Sequence, residues 1–464
     1  MLQCLKREAG FYRYLWGLTG PIALQNLITF TLGLMDTLMV SWLGNTQMAA
    51  VTTANVPVFL LISIVFGVQS GLSILVSQYW GKRDMEHTSR AIGVAAMLGT
   101  GLTVVLAAVL YLWPVEIMDL LSNNHELSVL GAPYLKLIGI SYVFNMLSSL
   151  YVSARRSAED AGFGMKLFAM STVLNTGLNY LLIFGKCGLP ALGIQGAAVA
   201  TLLARITEFA VCSFCAVRSR LLPIQWRAFF RPGWEMLRRF VKYSSPVILN
   251  ETAWGLGNSM LTVILGYTDN SVEMLAANAV MGNLNRLFLV VCFGLGAATA
   301  VIIGKSIGEG RSHQEVMDLS RTLLVFTALV GAGLTALSLL LVPTLFVPVV
   351  FPLFKLYGES AAIATALAVT GFLSIPLHAY SISAVTGVLR AGGDVFWSTL
   401  LDVGPQWCMA LPLTALLALV LKADYWWIAA AIQSESLLKV PLCALRIRAG
   451  QWIHDVTVRK ERGQ

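Results

Sequence analysis

The chain has 464 residues, of which 57% are hydrophobic and 12% charged, with a net charge of +8 and a mean hydropathy of +0.73. Soluble globular chains carry about 25% charged residues, so this composition excludes a soluble enzyme, a disordered chain, a collagen-like chain and a coiled coil. It leaves a polytopic membrane protein, because a spanning helix needs roughly 20 apolar residues and a dozen would use about 240.

In chain order, apolar runs predict spans at 14–41, 51–78, 92–113, 129–153, 166–186 and 192–216, then at 240–266, 276–303, 321–345, 360–387, 397–420 and 424–446. The predicted fold is an all-α integral membrane protein of about twelve transmembrane helices, since β-barrel strands would be shorter and alternating. The start, "MLQCLKREAGFYRYLW", has no small-residue cleavage site after its apolar run, so no cleavable signal peptide is expected. Cys4, Cys187, Cys212, Cys215, Cys292, Cys408 and Cys443 fall mostly inside apolar runs. Cys212 and Cys215 lie mid-helix with no His or further Cys pair nearby, which predicts packing as small hydrophobes.

Loop charges predict orientation. Lys82, Arg83 and Arg90 follow the second span, and Arg155, Arg156 and Lys166 follow the fourth. The stretch after the sixth holds Arg218, Arg220, Arg227, Arg231, Arg238, Arg239 and Lys242, and Lys305, Arg311 and Arg321 follow the eighth. The intervening loops are neutral or acidic. Basic loops face the cytoplasm, so both termini are expected there. "WRAFFRPGWEMLRRF" reads either as an amphipathic segment on the inner leaflet or as a solvated linker.

The chain repeats itself. "PIALQNLITFTLGLMDTLMVSWLG" from Pro21 parallels "PVILNETAWGLGNSMLTVILG" from Pro246, and "FGVQSGLSILVSQYWGKRD" from Phe66 parallels "FGLGAATAVIIGKSIGEGR" from Phe293. "RSAED" from Arg156 parallels "RAGGD" from Arg390. The predicted organisation is an N-lobe at 1–216, a basic cytoplasmic linker at 217–239 and a C-lobe at 240–464. Two six-helix bundles of the same orientation imply a pseudo-two-fold axis along the membrane normal. Repeated halves around a cleft favour a transporter over a channel or a membrane-embedded enzyme.

Ionisable groups inside the bilayer are expensive and point to function. Asp36 lies in an otherwise uncharged stretch from Leu15 to Leu43 and is either such a group or a helix-end carboxylate in the headgroup zone. Asn175 and Asn179 are one turn apart and share a helix face, and Thr201 is the polar residue of "GAAVATLL". A carboxylate, two amide oxygens and a hydroxyl are hard ligands suited to Na+, although the asparagines also suit interhelical hydrogen bonding. Glu251, five residues after Pro246, is a second coupling candidate, because a carboxyl with apolar surroundings can gain and lose a proton near neutrality. Asp402 and Glu435 are further candidates. Asp402 alternatively holds the neighbouring loop through Arg390, and Glu435 alternatively pairs with Lys439 at i,i+4. Arg205 and Glu208 are spaced to neutralise each other, while Arg286 has no local partner and would pair, if at all, across the cleft. Phe30, Met35, Trp254, Arg286 and Trp407 are candidate cleft residues for flat organic molecules. His87, His125, His313 and His454 fall in loops or termini, and His378 is mid-helix, expected as a packed polar contact. No catalytic triad, phosphate loop or metal cluster is readable, so no enzyme activity or cofactor is assigned, and no basic-aromatic patch suggests nucleic acid.

This pattern resembles the MATE (multidrug and toxic compound extrusion) family of the MOP flippase superfamily. The resemblance rests on Pro21 with "LMDTLMVSWLGNTQMAAV", on "LNTGLNYLLIFG" and "GIQGAAVATLLAR", and on "PVILNETAWGLG", "IIGKSIGEG" and "GVLRAGGDVFWSTLLDVGPQW". The closing "SESLLKVPLCALRIRAGQW" looks like the Gram-positive bacterial branch. The resemblance implies a monomeric twelve-helix antiporter in the lipid bilayer that exports organic cations in exchange for H+ or Na+. It also implies an N-lobe cation site that Asp36, Asn175 and Thr201 match, whereas Asn179 stands where many members have Asp. Losing that charge favours H+ over Na+. In the same way the family's acidic helix 7 matches Glu251. The runner-up is a lipid-linked precursor flippase of the same superfamily, a reading that Arg286 and Arg205 keep open.

Overall fold

The computed structural model describes residues 5–122 and 124–458, so Cys4 lies outside the described residues. It consists of helices α1 (Ala9–Ser41), α2 (Asn45–Gly81), α3 (Met85–Leu112), α4 (Pro114–Leu121), α5 (His125–Ser157), α6 (Ala161–Phe184), α7 (Ile194–Arg218), α8 (Trp226–Phe230), α9 (Trp234–Gly266) and α10 (Ser271–Gly308). They are followed by α11 (His313–Leu353), α12 (Glu359–Leu373), α13 (Ile375–Arg390), α14 (Val395–Val420) and α15 (Tyr425–Arg448). No strand occurs among the described residues.

Ten of these helices are long and apolar enough to cross a membrane, and α12 with α13 forms an eleventh, bent span. α9 is the twelfth. At 33 residues it is about 50 Å long, and it is more polar, carrying Asn250, Glu251, Asn258 and Ser259. The structure is thus an all-α integral membrane protein, with a helix at each of the twelve expected spans.

Three boundaries differ from the expectation. The run at 360–387 is not one straight helix, because it breaks at Ser374 with a bend of 48°. Pro376 follows immediately, has no N–H to continue the ladder, and disfavours helical geometry before it. The ninth span passes the expected end at 345 and continues through Pro343 and Pro348 in wider, π-type turns to Leu353. The basic stretch is shorter than 217–239, since α7 ends at Arg218 and α9 begins at Trp234. Within it, α8 sits on the start of α3. Gln225 N donates to Ser89 Oγ at 3.0 Å, and Ala228 is buried while Trp226 and Phe230 are exposed.

Polar caps stop the helices where the sequence leaves the apolar runs. Asp84, Asn124 and Asp160 accept backbone N–H groups at the starts of α3, α5 and α6. Ser312 and Glu315 form a reciprocal capping box at α11. Gly185, at φ +64°, ends α6 in the left-handed conformation that a side chain would resist.

The chain folds as two compact units. One is Leu24–Ile248, and the other joins the described residues up to Ala23 with those from Leu249 onward. The cuts fall inside α1 and α9 rather than in the basic stretch. The first unit has a core of Met39, Ala50, Leu61, Met118, Leu135 and Ile183, and the second one of Leu265, Met281, Phe346, Leu367 and Phe372. In the first, α2 meets α9 through glycines one turn apart. A Cβ on Gly67 would lie 2.3 Å from Ile248 Cγ1, and one on Gly71 would lie 2.2 Å from Ser244 Oγ. Gly71→Ala is therefore expected to lower stability by about 1–3 kcal/mol through overpacking. A thermal-unfolding midpoint in detergent equal to that of the wild type would show that α9 yields freely at this crossing.

Candidate functional site

In the Leu24–Ile248 unit, α6 and α7 are joined by a short loop and pack without intervening side chains at Gly196, whose Cβ would lie 2.6 Å from Leu182 O. That close approach brings Asn175 and Asn179 of α6 to Thr201 of α7, and both asparagines are fully buried. Asp36 projects from α1 to the same point. Asn179 Nδ2 donates to Asp36 Oδ1 at 2.6 Å and to Asn175 Oδ1 at 3.0 Å, and Asn175 Nδ2 donates to Thr201 Oγ1 at 3.3 Å. Turned over, the Asn175 amide suits its neighbours better, donating to Asp36 Oδ1 at 3.0 Å and accepting from Thr201 Oγ1 at 3.3 Å. The structure thus gathers Asp36, Asn175, Asn179 and Thr201 in one place. It puts amide N–H groups on the Asp36 carboxylate. Asn179 Oδ1 is buried with no hydrogen-bond partner, so one amide oxygen is available to an incoming cation or donor.

One turn beyond Thr201, Arg205 Nη1 donates to both oxygens of the fully buried Glu208 at 2.9 Å, as their spacing predicts. Arg205 also lies within electrostatic reach of Asp36. Tyr134, hydrogen-bonded to Asn55, is another electrostatic neighbour of Asp36. The sequence gives no sign of either residue, because a tyrosine and an asparagine inside long helices are ordinary on their own.

The second unit holds a larger charged group. Arg390, at the end of α13, reaches Glu251 Oε1 at 3.4 Å and Asp402 Oδ2 at 3.5 Å. Lys439 of α15 donates to Asp402 Oδ1 at 2.9 Å and lies 4.0 Å from Glu435. Asn250 bridges, donating to Asp402 Oδ2 at 2.9 Å and to Glu251 Oε1 at 3.3 Å. The candidates Glu251, Asp402 and Glu435 therefore belong to one network of three carboxylates and two cations. The Asp402–Arg390 pair forms as the alternative reading expected, but Lys439 favours Asp402 over Glu435. Asn250 was missed, although its place directly before Glu251 is the signal that marks it. His378 is a packed polar contact, as expected, 3.1 Å from Gln433 Oε1 and 3.0 Å from Ser436 Oγ.

The cleft candidates divide between the units. Phe30 and Met35 lie in one, and Trp254 and Trp407 in the other, where Trp407 Nε1 donates to Ala253 O at 3.1 Å. Met35, Trp254 and Trp407 are more than a third exposed, and Phe30 is half-buried. Arg286 is exposed on α10. Cys212 is buried with its Sγ near Ser148 O, and it packs as a small hydrophobe.

Comparison with known proteins places this geometry. A family model described as MatE matches residues 21–181, the stretch that carries Asp36, Asn175 and Asn179. The chain is 26% identical over 408 residues to the probable multidrug resistance protein YoeA of Bacillus subtilis, covering 86% of this chain and 85% of that protein. It is 29% identical over 468 residues to the probable multidrug resistance protein NorM of Deinococcus radiodurans, covering 95% and 96%. Its fold matches an outward-facing multidrug resistance MATE transporter of the MOP superfamily, with a TM-score of 0.82 at 18% identity over 97% of this chain and 98% of that one. A variant of the Vibrio cholerae MATE transporter VcmN matches with a TM-score of 0.84 at 19% identity, over 95% and 98%. With a family match on the stretch that carries Asp36, Asn175 and Asn179, relatives of near-equal length and a shared twelve-helix, two-bundle fold, the chain is similar to the membrane transporters of the MATE family.

Proposed function

We propose that this protein is a secondary active multidrug efflux antiporter that exports organic cations by alternating access in exchange for H+, which it uses in preference to Na+. The observation that carries the reading is the Asp36 cluster, a membrane-embedded carboxylate that accepts from the buried Asn179 amide, beside a second buried asparagine hydrogen-bonded to Thr201. In this reading both termini face the cytoplasm of a bacterial inner membrane, the two repeated halves act as rocking lobes, and one copy suffices.

The preference for H+ rests on the donor set. Asp36 is the one carboxylate in it, and amide N–H groups already satisfy that carboxylate. Na+ would have to displace the amide N–H from that carboxylate and make up the loss of its hydration shell. A proton needs one carboxyl oxygen and leaves the amide network standing. In the second unit Arg390 and Lys439 are committed to carboxylates, which argues against a cationic cleft for a pyrophosphate-linked lipid.

The test is ethidium efflux from proteoliposomes under separately imposed gradients. An inward H+ gradient is expected to drive efflux and a protonophore to stop it. With pH clamped equal on both sides and only an inward Na+ gradient, robust transport that survives the protonophore would overturn H+ coupling and make Asp36, Asn175, Asn179 and Thr201 a Na+ site.

A further inference from the structure

Residues 449–456, which follow α15, fold back on the turn between α13 and α14, and the Trp452 side chain among them is fully buried. Its ring lies against Gly392, where a Cβ would stand 2.3 Å from Trp452 Cε3. His454 N donates to Gly392 O at 2.8 Å, and Trp452 Nε1 donates to Ile447 O at 3.1 Å. Val456 is buried, and a Cβ on Gly393 would stand 2.8 Å from its Cγ1. Two side chains fasten the segment further. His313 Nε2, at the start of α11, donates to Gly450 O at 3.0 Å, and Arg446 bridges Asp394 Oδ2 at 2.8 Å and Gln451 Oε1 at 3.0 Å.

The repeated halves show what the glycine at 392 is for. "RAGGD" in the second half parallels "RSAED" in the first. Both turns close through the same three backbone bonds: Gly392 N to Val388 O, Gly393 N to Arg390 O and Asp394 N to Leu389 O in one, Ala158 N to Ala154 O, Glu159 N to Arg156 O and Asp160 N to Arg155 O in the other. Glu159 holds φ +67° where Gly393 holds φ +85°. The turn itself therefore accepts alanine and glutamate at these places, and Gly392 answers to the indole ring laid over it. Arg390 is the first residue of this turn. Its contacts to Glu251 and Asp402, at 3.4 and 3.5 Å, are at the long limit for a charged hydrogen bond. A shift of about half an ångström in the turn would break them. We propose that residues 449–456 form a strap whose Trp452 positions Arg390 and so holds the Glu251–Asp402 network in register for transport. In the antiporter reading, on which this rests, Trp452 touches neither drug nor proton and acts through Arg390.

The test measures ethidium efflux from proteoliposomes under an inward H+ gradient, with a Val456→Cys reporter labelled in detergent by a polar thiol reagent. In the otherwise wild-type chain the reporter is expected to stay at the background of the native cysteines. Trp452→Ser, and Gly392→Leu from the other side of the contact, are expected to expose the reporter and to lower the maximal efflux rate about tenfold, with half-saturating ethidium unchanged within about twofold. Trp452→Phe, which keeps a ring over Gly392, should retain most of the rate. The unfolding-midpoint shifts of Trp452→Ser and Arg390→Met should combine to less than their sum, because both loosen the same contacts. His454→Pro removes a single N–H and carries the same test where the larger changes prevent folding. A reporter labelled in the wild-type background, wild-type efflux by a variant whose reporter is labelled, a rise in half-saturating ethidium that accounts for the loss, or additive midpoint shifts would each overturn the strap's role. Absence of efflux from the wild-type protein would instead overturn the antiporter reading, and the labelling and midpoints would still decide whether the strap holds Arg390.

Discussion

Asp36→Asn is expected to abolish ion-driven efflux while the folded yield stays near that of the wild type. The amide has nearly the shape of the carboxyl, and its oxygen can still accept from Asn179 Nδ2, which lies 2.6 Å from Asp36 Oδ1. The stability change should therefore be about 1 kcal/mol, the size of one altered hydrogen bond. What the amide cannot do is change charge, and the coupling step requires a group that does. The measurement is ethidium efflux from proteoliposomes alongside the unfolding midpoint in detergent. Wild-type efflux by the variant would remove Asp36 from the mechanism, and a large fall in the midpoint would make it a structural residue.

Arg390→Met is expected to give the largest loss of stability, about 3–5 kcal/mol, because it removes a buried guanidinium, leaves the half-buried Glu251 without its cation and leaves Asp402 with Lys439 alone. The Arg390 side chain is 2% exposed and sits between Glu251 and Asp402 at 3.4 and 3.5 Å. Adding Glu251→Gln in the same chain removes one orphaned charge and should recover part of the loss. Failure of the second change to recover any stability would show that Arg390 acts through packing rather than through charge. The network has three carboxylates and two cations, so it keeps one surplus negative charge when all are ionised. Two members lie at the edge of the network: Glu251, held by Arg390 at 3.4 Å and Asn250 at 3.3 Å, and Glu435, 4.0 Å from Lys439. Lys439, by contrast, locks Asp402 at 2.9 Å.

The spans were legible because lipid leaves the sequence few choices. A backbone in hydrocarbon must bond to itself, so long apolar runs between charged loops become helices. The ends were less legible. α11 carries Pro343 and Pro348 past its expected stop, because in an apolar helix wider turns absorb the missing bonds, while at Ser374 and Pro376 the same chemistry breaks the helix by 48°. Nothing local in the sequence separates the two outcomes.

Asp36 and Glu251 stood out by isolation, as lone charges in apolar runs. The i,i+4 spacing of Asn175 and Asn179 put them on one face, and only the fold brought that face to Asp36 and Thr201. Local spacing misled at Lys439, where Glu435 is the sequence neighbour at 4.0 Å but Asp402, far away in the chain, is the closer partner. The compact units also cut through α1 and α9, because packing follows each half of a long helix to whatever it touches, and loop composition does not record that.

The central claim is that a proton moves opposite to the drug through the Asp36 site. The direct measurement traps a pH-sensitive dye inside proteoliposomes, without Na+ and with no imposed gradient, and then adds ethidium outside. Drug entering the lumen should expel protons, so the lumen should turn alkaline in step with ethidium uptake. A protonophore should erase the pH change, and Asp36→Asn protein should show neither signal. Ethidium uptake by the wild type with no change in lumenal pH would contradict the account.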